Sequence, residues 1–113
     1  MQLRMSTRTL DGVMVVDCSG RIIFGEESAT LRDTVKKVLL TQSPRVVLNL
    51  AEISHIDSGG LGTLVSLYTT ARNAGGDLKL AHLTQRVLDL LQLTKLVSIF
   101  EVFENEQLAV QSF

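Results

Sequence analysis

A carboxylate, a hydroxyl and a cluster of glycines stand together in the middle of the chain, in the segment 57–62, DSGGLG. Asp57 offers an acid group and Ser58 a nucleophilic oxygen, and an apolar pattern of helical period begins at Leu61. Each glycine inside a helix costs up to about 1 kcal/mol relative to alanine, so this helix start needs a compensating reason. The segment is therefore the first candidate for a functional site.

The position of this segment favours two roles, and the sequence leaves both open. Strand 45–50 leads into the loop 51–57, and sites in parallel α/β sheets gather at the carboxyl ends of strands. Asp57 or Ser58 can cap the free amides of the following helix, as Asp and Ser commonly do. A phosphate on Ser58 would also suit the positive end of the helix dipole, and the glycines would leave room for a partner. Such a phosphate would add a second negative group beside Asp57 without unfolding anything.

Other sites built from glycine, serine, histidine or cysteine lack essential parts. The glycines fit neither the G-x-x-x-x-G-K-[ST] nor the G-x-G-x-x-G pattern, and Ser58 lacks the flanking glycines of a nucleophile elbow. We expect His55 to be a loop histidine and His82 a structural residue of a strand. No His, Cys, Asp or Glu cluster has metal-ligand spacing, and the single cysteine, Cys18, is expected to be buried. We expect no catalytic residue, no metal and no cofactor.

A phospho-accepting aspartate, as in two-component receiver domains, is the enzyme-like alternative for Asp57. Those domains resemble this chain in alternating strands and helices, but they carry an acidic pair after the first strand and a lysine after the last. Here Asp11 and Asp17 are not paired, and Glu104 follows the last predicted strand. The groups that would bind Mg²⁺ are missing, so this alternative is the less favoured one.

Strands and helices that alternate along the chain must position this segment. The chain opens with strands at 2–10 and 13–16, joined by the hairpin signal DG at 11–12. Gly20 breaks the apolar run of the second strand, and residues 22–24 can form a short extension of it. The apolar pattern then predicts a helix, a strand, a helix, a strand, a helix, a strand and a last helix. The first helix starts with Glu26 and Glu27 and carries Leu31, Val35, Val38 and Leu39, and strand 45–50 follows it. The second helix carries Leu61, Leu64, Val65 and Tyr68, ends at Gly75 and Gly76, and leads into strand 77–83. The third helix starts at Thr84 and carries Val87, Leu88 and Leu91, strand 99–103 comes next, and the last helix starts near Asn105 and carries Leu108 and Val110.

This order is that of an α/β fold. Alternation of strand and helix after the opening hairpin implies a mixed, largely parallel sheet covered by about four helices. The 113 residues suit a single domain, 1–113, and we find no repeat or linker in it.

Composition narrows the class of protein. Hydrophobic residues make up 45% of the chain and charged residues 20%, and the net charge is −1 without a basic stripe. This argues against a nucleic-acid or anionic-membrane partner. No apolar run reaches the roughly 18 residues of a membrane span, and the N-terminus does not have the layout of a signal peptide. We expect a cytoplasmic protein.

The stretch VVLNLAEISHIDSGGLGTLVSLY at 46–68 resembles the signature of the STAS domain, in particular of the single-domain anti-sigma factor antagonists of bacteria. In that family an apolar strand and a short loop precede Asp-Ser-(Ser/Gly)-Gly-(Leu/Ile)-Gly, which opens a helix. The likeness extends to SGRI at 19–22, RNAGGDLKLAHL at 72–83 and VLDLLQLTKLVSIFEVFENEQLAV at 87–110.

The resemblance implies a partner-switching regulator of transcription that is not an enzyme. Ser58 would be phosphorylated by an anti-sigma factor that is also a serine kinase, which binds the unphosphorylated antagonist and releases the phosphorylated one. A PP2C-type phosphatase would restore Ser58. The implied partner-binding residues are His55, Asp57, Ser58, Gly59, Gly60, Leu61 and Gly62.

Two positions depart from the family pattern. Many members carry an acidic residue soon after the SGR-like turn, where this chain has Ile22 and Ile23, and Gly59 stands where many have a second serine. Both departures bear on which kinase is the partner. A STAS module of another assembly, either stressosome-like or a nucleotide- or ligand-sensing unit, is the alternative, and it would differ in its partner.

Overall fold

The computed structural model describes residues 3–113, which form one five-stranded sheet and four α-helices. Along the chain these elements are β1 (Arg4–Leu10), β2 (Val13–Ile22), α1 (Glu26–Thr41), β3 (Arg45–Ile56), α2 (Ser58–Asn73), β4 (Asp77–Ala81), α3 (Gln85–Leu93), β5 (Val102–Phe103) and α4 (Glu106–Gln111). The strand order is β1-β2-β3-β4-β5; β1 is antiparallel to β2, and all other pairs are parallel. The predicted fold class is confirmed. Gln2, which the first predicted strand included, lies outside the described residues.

The opening hairpin turns at Asp11 and Gly12, as the DG pair predicts. Their φ angles are 52° and 78°, and a two-residue hairpin loop needs such positive values if its twist is to match that of the strands. Asp and Gly tolerate this conformation better than most residues. The turn pairs Leu10 with Val13 and sets the register of the hairpin.

Both faces of the sheet carry helices. Helices α1, α2 and α3 pack on one face, against side chains that include Val16 and Leu48. Helix α4 packs on the other face, where Val110 contacts a smaller cluster with Val15 and Val47. Neighbouring residues of a strand point to opposite faces, so a strand covered on both sides needs a continuous apolar run. None of the helices within residues 3–113 is long and apolar enough to cross a membrane.

Strands β2 and β3 are longer than predicted, and this changes the approach to the segment 57–62. β3 continues to Ile56, so most of the loop predicted at 51–57 is strand. The extension pairs Ile56 with Ile22, and both side chains are buried. Gly20, with φ 109°, lies at an irregularity of β2 and does not end it. Pairing with a neighbouring strand therefore overrides the local signals.

The last two helices start where the sequence predicts, and each has a side-chain cap at its start. The hydroxyl oxygen of Thr84 accepts from the backbone N–H of Val87 at 3.4 Å, and Oδ1 of Asn105 accepts from that of Leu108 at 2.9 Å. Leu108, one of the two apolar residues that predicted the last helix, is 47% exposed. This helix packs on the sheet through Ala109 and Val110, which are buried.

Two other details differ from the prediction. The strand predicted at 99–103 is reduced to the two residues of β5, since residues 96–98 form a 3₁₀ turn that redirects the chain. In α2 the buried stripe includes Leu67, whereas Val65 and Tyr68 are half-buried at its edge. Both differences concern the ends or edges of elements and leave the topology unchanged.

Candidate functional site

Asp57 is the N-cap of α2. Its Oδ1 accepts a hydrogen bond from the backbone N–H of Gly60 at 2.9 Å, and its backbone is extended, as an N-cap requires. Both carboxylate oxygens also lie 3.0 Å from the backbone nitrogen of Phe24, which donates to them. One side chain thus closes the start of α2 and ties it to the connection between β2 and α1.

These amides hold Asp57 in its charged form. The N–H of Phe24, and after it that of Gly60, lower the pKa of the carboxyl group below its ordinary value because they donate to the charged form. Partial desolvation opposes this shift but is the smaller effect. Asp57 therefore places a fixed negative charge beside Ser58 at neutral pH.

Ser58 is the first residue of α2, and its side chain is exposed. Because Asp57 takes the capping role, the Ser58 hydroxyl has no hydrogen-bond partner among residues 3–113. An oxygen in this position is open to an approaching enzyme, and a phosphate on it would lie at the positive end of the helix dipole. Of the two roles that the sequence left open, capping falls to Asp57, and Ser58 stays available for modification.

Gly59 and Gly60 serve close packing within the chain. A Cβ atom on Gly60 would lie 2.9 Å from the carbonyl carbon of Ile22 and closer still to its oxygen, and one on Gly59 would lie 2.6 Å from Cβ of Phe24. Nothing lies within 4 Å of a Cβ built on Gly62. The expectation that the glycines leave room for a partner is therefore wrong for Gly59 and Gly60, whose room the β2–α1 connection occupies. For Gly62 it stays a prediction.

The other predicted contact residues differ in their exposure. His55, near the end of β3, is exposed, and its Nδ1 lies 3.0 Å from the hydroxyl oxygen of Ser54. Gly60 and Leu61 are buried and support this surface from beneath; their contact with a partner stays a prediction. The predicted residues that retain accessible surface are His55, Asp57, Ser58, Gly59 and Gly62.

Phe24, which the sequence predicts only as the end of a short strand extension, belongs to this region. Its side chain is 81% exposed at the turn between β2 and α1, beside the start of α2. The two isoleucines that depart from the STAS pattern point elsewhere, since Ile22 is fully buried and Ile23 is half-buried. An aromatic residue followed directly by Gly25 and then by the acidic start of a helix was the signal that could have revealed it.

An open groove of about 520 Å³ runs between α1 and α2 next to Phe24. The hydroxyl of Ser28 donates to the carbonyl oxygen of Ile23 at 2.6 Å, and that of Thr63 donates to the carbonyl oxygen of Gly59 at 3.1 Å. These bonds fix both side chains in the wall of the groove. Its lining residues are Phe24, Gly25, Ser28, Arg32, Gly59, Gly62, Thr63 and Ser66.

The acidic side chains that a receiver domain would need lie away from Asp57. Asp17 pairs with Arg8 of β1 at 2.8 Å, and Asp11 lies in the hairpin turn at the far end of β2. Across residues 3–113, no group of three or more His, Cys, Asp or Glu side chains could hold a metal ion. Asp11 and Asp17 therefore form no acidic pair around Asp57.

His82 and Cys18 have structural surroundings, as predicted. Nε2 of His82 accepts from the backbone N–H of Glu106, the first residue of α4, at 3.2 Å. Cys18 is buried in β2, and this burial raises the pKa of its thiol to about 12. Cys18 belongs to the packing of the sheet, whereas His82 lies just beyond the end of β4, with a φ of 57°, and not on the predicted strand.

Similarity to known proteins points to one family. The family model of the STAS domain matches residues 4–109. An anti-sigma F factor antagonist of Paenibacillus polymyxa is 24% identical over 94% of this chain and 91% of its own. An anti-sigma-B factor antagonist of Bacillus subtilis is 32% identical over 65% of this chain and 67% of its own. The crystal structure of an anti-sigma factor antagonist from Mycobacterium paratuberculosis has the same fold, with a TM-score of 0.84 and 22% identity over 98% of this chain and 93% of that one.

Proposed function

This chain belongs to the STAS domain family, and we propose that it acts as an anti-sigma factor antagonist. Unphosphorylated, it binds an anti-sigma factor that is also a serine kinase, and so frees a sigma factor for transcription. Phosphorylation of Ser58 releases the kinase, and a PP2C-type phosphatase removes the phosphate. The names of the two relatives and the surroundings of Ser58 support this proposal.

The exposed hydroxyl of Ser58 is the observation that carries the proposal. It stands at the first position of α2, and the cap is supplied by Asp57, so modification costs the helix no hydrogen bond. The free N–H groups of a helix start favour a negative group there. A phosphate on Ser58 is therefore accommodated without unfolding the chain.

The transfer itself needs only a nucleophile from this chain. The Ser58 oxygen attacks the γ-phosphorus of ATP, its proton passes to a base of the kinase, and ADP leaves. The phosphatase hydrolyses the phosphoserine with water and returns the hydroxyl. The groups that accelerate both steps belong to the other two proteins, so this chain is their substrate and binding partner and not an enzyme.

The charge of the phosphate explains the release of the kinase. A phosphoserine carries about −1.5 to −2 charges at neutral pH, and here it would stand beside Asp57, whose lowered pKa keeps it ionised. A kinase surface that fits a neutral hydroxyl next to one carboxylate would then face about −2.5 to −3 charges. Unfavourable charge contacts within an interface cost several kcal/mol. Binding weakens although the fold is unchanged.

A capture experiment with charge variants tests the proposal. Tagged wild type, Ser58→Ala and Ser58→Asp would isolate partners from the source organism, and mass spectrometry would identify them and the phosphorylation state of Ser58. We expect wild type and Ser58→Ala to retain an anti-sigma factor with a kinase domain, and Ser58→Asp to retain roughly 10-fold less. Ser6→Asp adds the same charge at an exposed serine of β1 and should bind like wild type.

Each part of the proposal has a result that contradicts it. Equal capture by Ser58→Asp and wild type would refute the switch. Capture of an assembly without an anti-sigma factor would instead indicate a STAS module of another signalling complex. A phosphate that hydroxylamine removes would be an acyl phosphate on Asp57, as in a receiver-like protein, because phosphoserine resists this treatment.

A further inference from the structure

We propose that Phe24 is the apolar anchor by which the kinase holds this chain next to Ser58. This role depends on the function proposed above. It identifies the residue that provides affinity for the kinase, and it predicts the chemistry of the kinase surface that contacts this residue. Phe24 is 81% exposed, the largest fraction among the exposed large hydrophobic side chains of residues 3–113. A single exposed apolar side chain is common on protein surfaces, so a binding role depends on the surroundings of Phe24.

The backbone of Phe24 is held firmly although its ring is in solvent. Its N–H donates to both carboxylate oxygens of Asp57 at 3.0 Å. Its Cα and Cβ lie over Gly59, closer than a side chain at that position would allow. An aromatic side chain on a fixed backbone loses little conformational entropy when a partner buries it. Such residues commonly provide most of the binding energy of an interface.

Phe24 lies so close to Ser58 that a kinase covers both at once. Its Cβ packs against Gly59, the residue that follows Ser58. A stable interface covers roughly 800 Å² on each partner, which corresponds to a disc of about 16 Å radius. A kinase whose active site encloses the Ser58 oxygen must therefore extend over the ring of Phe24. The exposed surface of Phe24 is therefore continuous with the phosphorylation site, and the kinase is the partner that covers it.

The groove beside Phe24 indicates what the kinase must present. Gly62 lines it without a side chain, and nothing lies within 4 Å of a Cβ built there, which leaves the main chain of α2 open to contact at this position. Arg32 is the one charged side chain among the lining residues, and it forms no ion pair with any residue between 3 and 113. A complementary surface has an apolar pocket for the ring and a carboxylate for Arg32.

Binding of the purified kinase to side-chain variants tests this anchor. The kinase captured with Ser58→Ala would be titrated calorimetrically with unphosphorylated wild type, Phe24→Ala and Phe24→Gln. We expect both Phe24 variants to bind about 10- to 100-fold more weakly, because they remove the ring and leave the backbone bond to Asp57 in place.

Leu93→Ala is the matched control. Leu93 is 80% exposed. Helix α3 starts after the carboxyl end of β4 and Leu93 is its last residue, so roughly 12 Å of helix separate it from the edge of the sheet at which Ser58 lies. Its truncation removes a comparable exposed apolar group, and the variant should bind the kinase within about twofold of wild type.

The Arg32→Ala variant tests the charge of the partner's surface. We expect a severalfold weaker affinity and a difference that shrinks as the salt concentration rises, because ions screen an exposed cation from a carboxylate. An unchanged affinity, or a loss of affinity that does not depend on salt, would show that no carboxylate of the partner contacts Arg32.

The results distinguish the anchor from the function on which it depends. If wild type binds no anti-sigma kinase, the proposed function fails and the anchor fails with it. If wild type binds the kinase and releases it on phosphorylation while both Phe24 variants bind equally well, only the anchor is refuted. Sedimentation showing a dimer for wild type and a monomer for Phe24→Ala would assign the ring to a second copy of the chain. Equal thermal unfolding of all variants shows that weaker binding is not lost folding.

Discussion

Alanine at Gly60 and alanine at Gly62 should change the stability of this protein in opposite directions. The two glycines lie two positions apart in α2, and both substitutions add one methyl group. Within a helix the change from glycine to alanine stabilises by up to about 1 kcal/mol. Gly62→Ala should realise this gain, because nothing lies within 4 Å of the added Cβ.

At Gly60 the added methyl group meets main chain that cannot yield. Its Cβ would lie 2.9 Å from both the carbonyl carbon and Cγ2 of Ile22, and closer still to the carbonyl oxygen. Ile22 is fully buried, and its carbonyl accepts from the backbone N–H of Asp57 at 3.3 Å, so a shift would also disturb this bond. Overpacking typically costs about 1–3 kcal/mol, and a weakened hydrogen bond adds about 1 kcal/mol. We therefore expect Gly60→Ala to lower the free energy of unfolding by about 2–4 kcal/mol.

Urea unfolding followed by circular dichroism measures both changes. The free energies of unfolding of the two variants should differ by roughly 2–5 kcal/mol, with Gly62→Ala the more stable. Thermal unfolding should show the same order, at roughly 4 °C per kcal/mol for a domain of this size. If Gly60→Ala were as stable as Gly62→Ala, the β2–α1 connection would not pack closely on α2, and the role assigned to Gly60 would be wrong.

One further substitution tests the cap of α2, and one reagent tests the packing of β2. Asp57→Asn should lower the free energy of unfolding by about 1 kcal/mol at neutral pH, because one amide N–H would face a backbone N–H that now donates to the carboxylate. Because the pKa of Asp57 is lowered in the folded protein, its charge stabilises the fold above the pKa of the unfolded chain, about 4, and this contribution is lost as the pH falls through the folded-state value. The advantage of wild type over Asp57→Asn in urea unfolding should therefore shrink below about pH 4, and an advantage that is constant down to about pH 2 would contradict this reasoning. Cys18 is buried with a pKa raised to about 12, so a thiol reagent at about pH 8 should modify it only as fast as the protein opens; labelling at the rate of the unfolded chain would show that β2 is not packed in this way.

Local patterns were sufficient to predict the order of strands and helices and the place of the site. The DG turn and the helix starts at Thr84 and Asn105 depend on neighbours within a few positions, and they are found as predicted. The same holds for the start of α2 directly after Asp57. These features follow from backbone geometry and from hydrogen bonds that reach three or four residues along the chain.

The ends of the strands could not be predicted in this way. β3 continues to Ile56 because β2 continues beside it to Ile22, and each strand satisfies the backbone groups of the other. Gly20 was predicted to end β2, but an irregularity in the pairing accommodates its positive φ. Whether a residue is in a strand depends on a partner strand, and a partner strand is not a local property.

The sequence by itself determined that an aspartate, a serine and several glycines open a helix at the carboxyl end of a strand, whereas the tertiary structure decided what each of them does. Phe24 lies 33 residues before Asp57, yet its N–H donates to that carboxylate and its Cβ occupies the space over Gly59. Asp57 caps α2 through Gly60 and binds Phe24 at the same time, while the Ser58 hydroxyl stays free and an aromatic ring lies beside it. Periodicity and propensity describe neighbours along the chain, while the packing of two distant segments depends on where the whole fold places them in space.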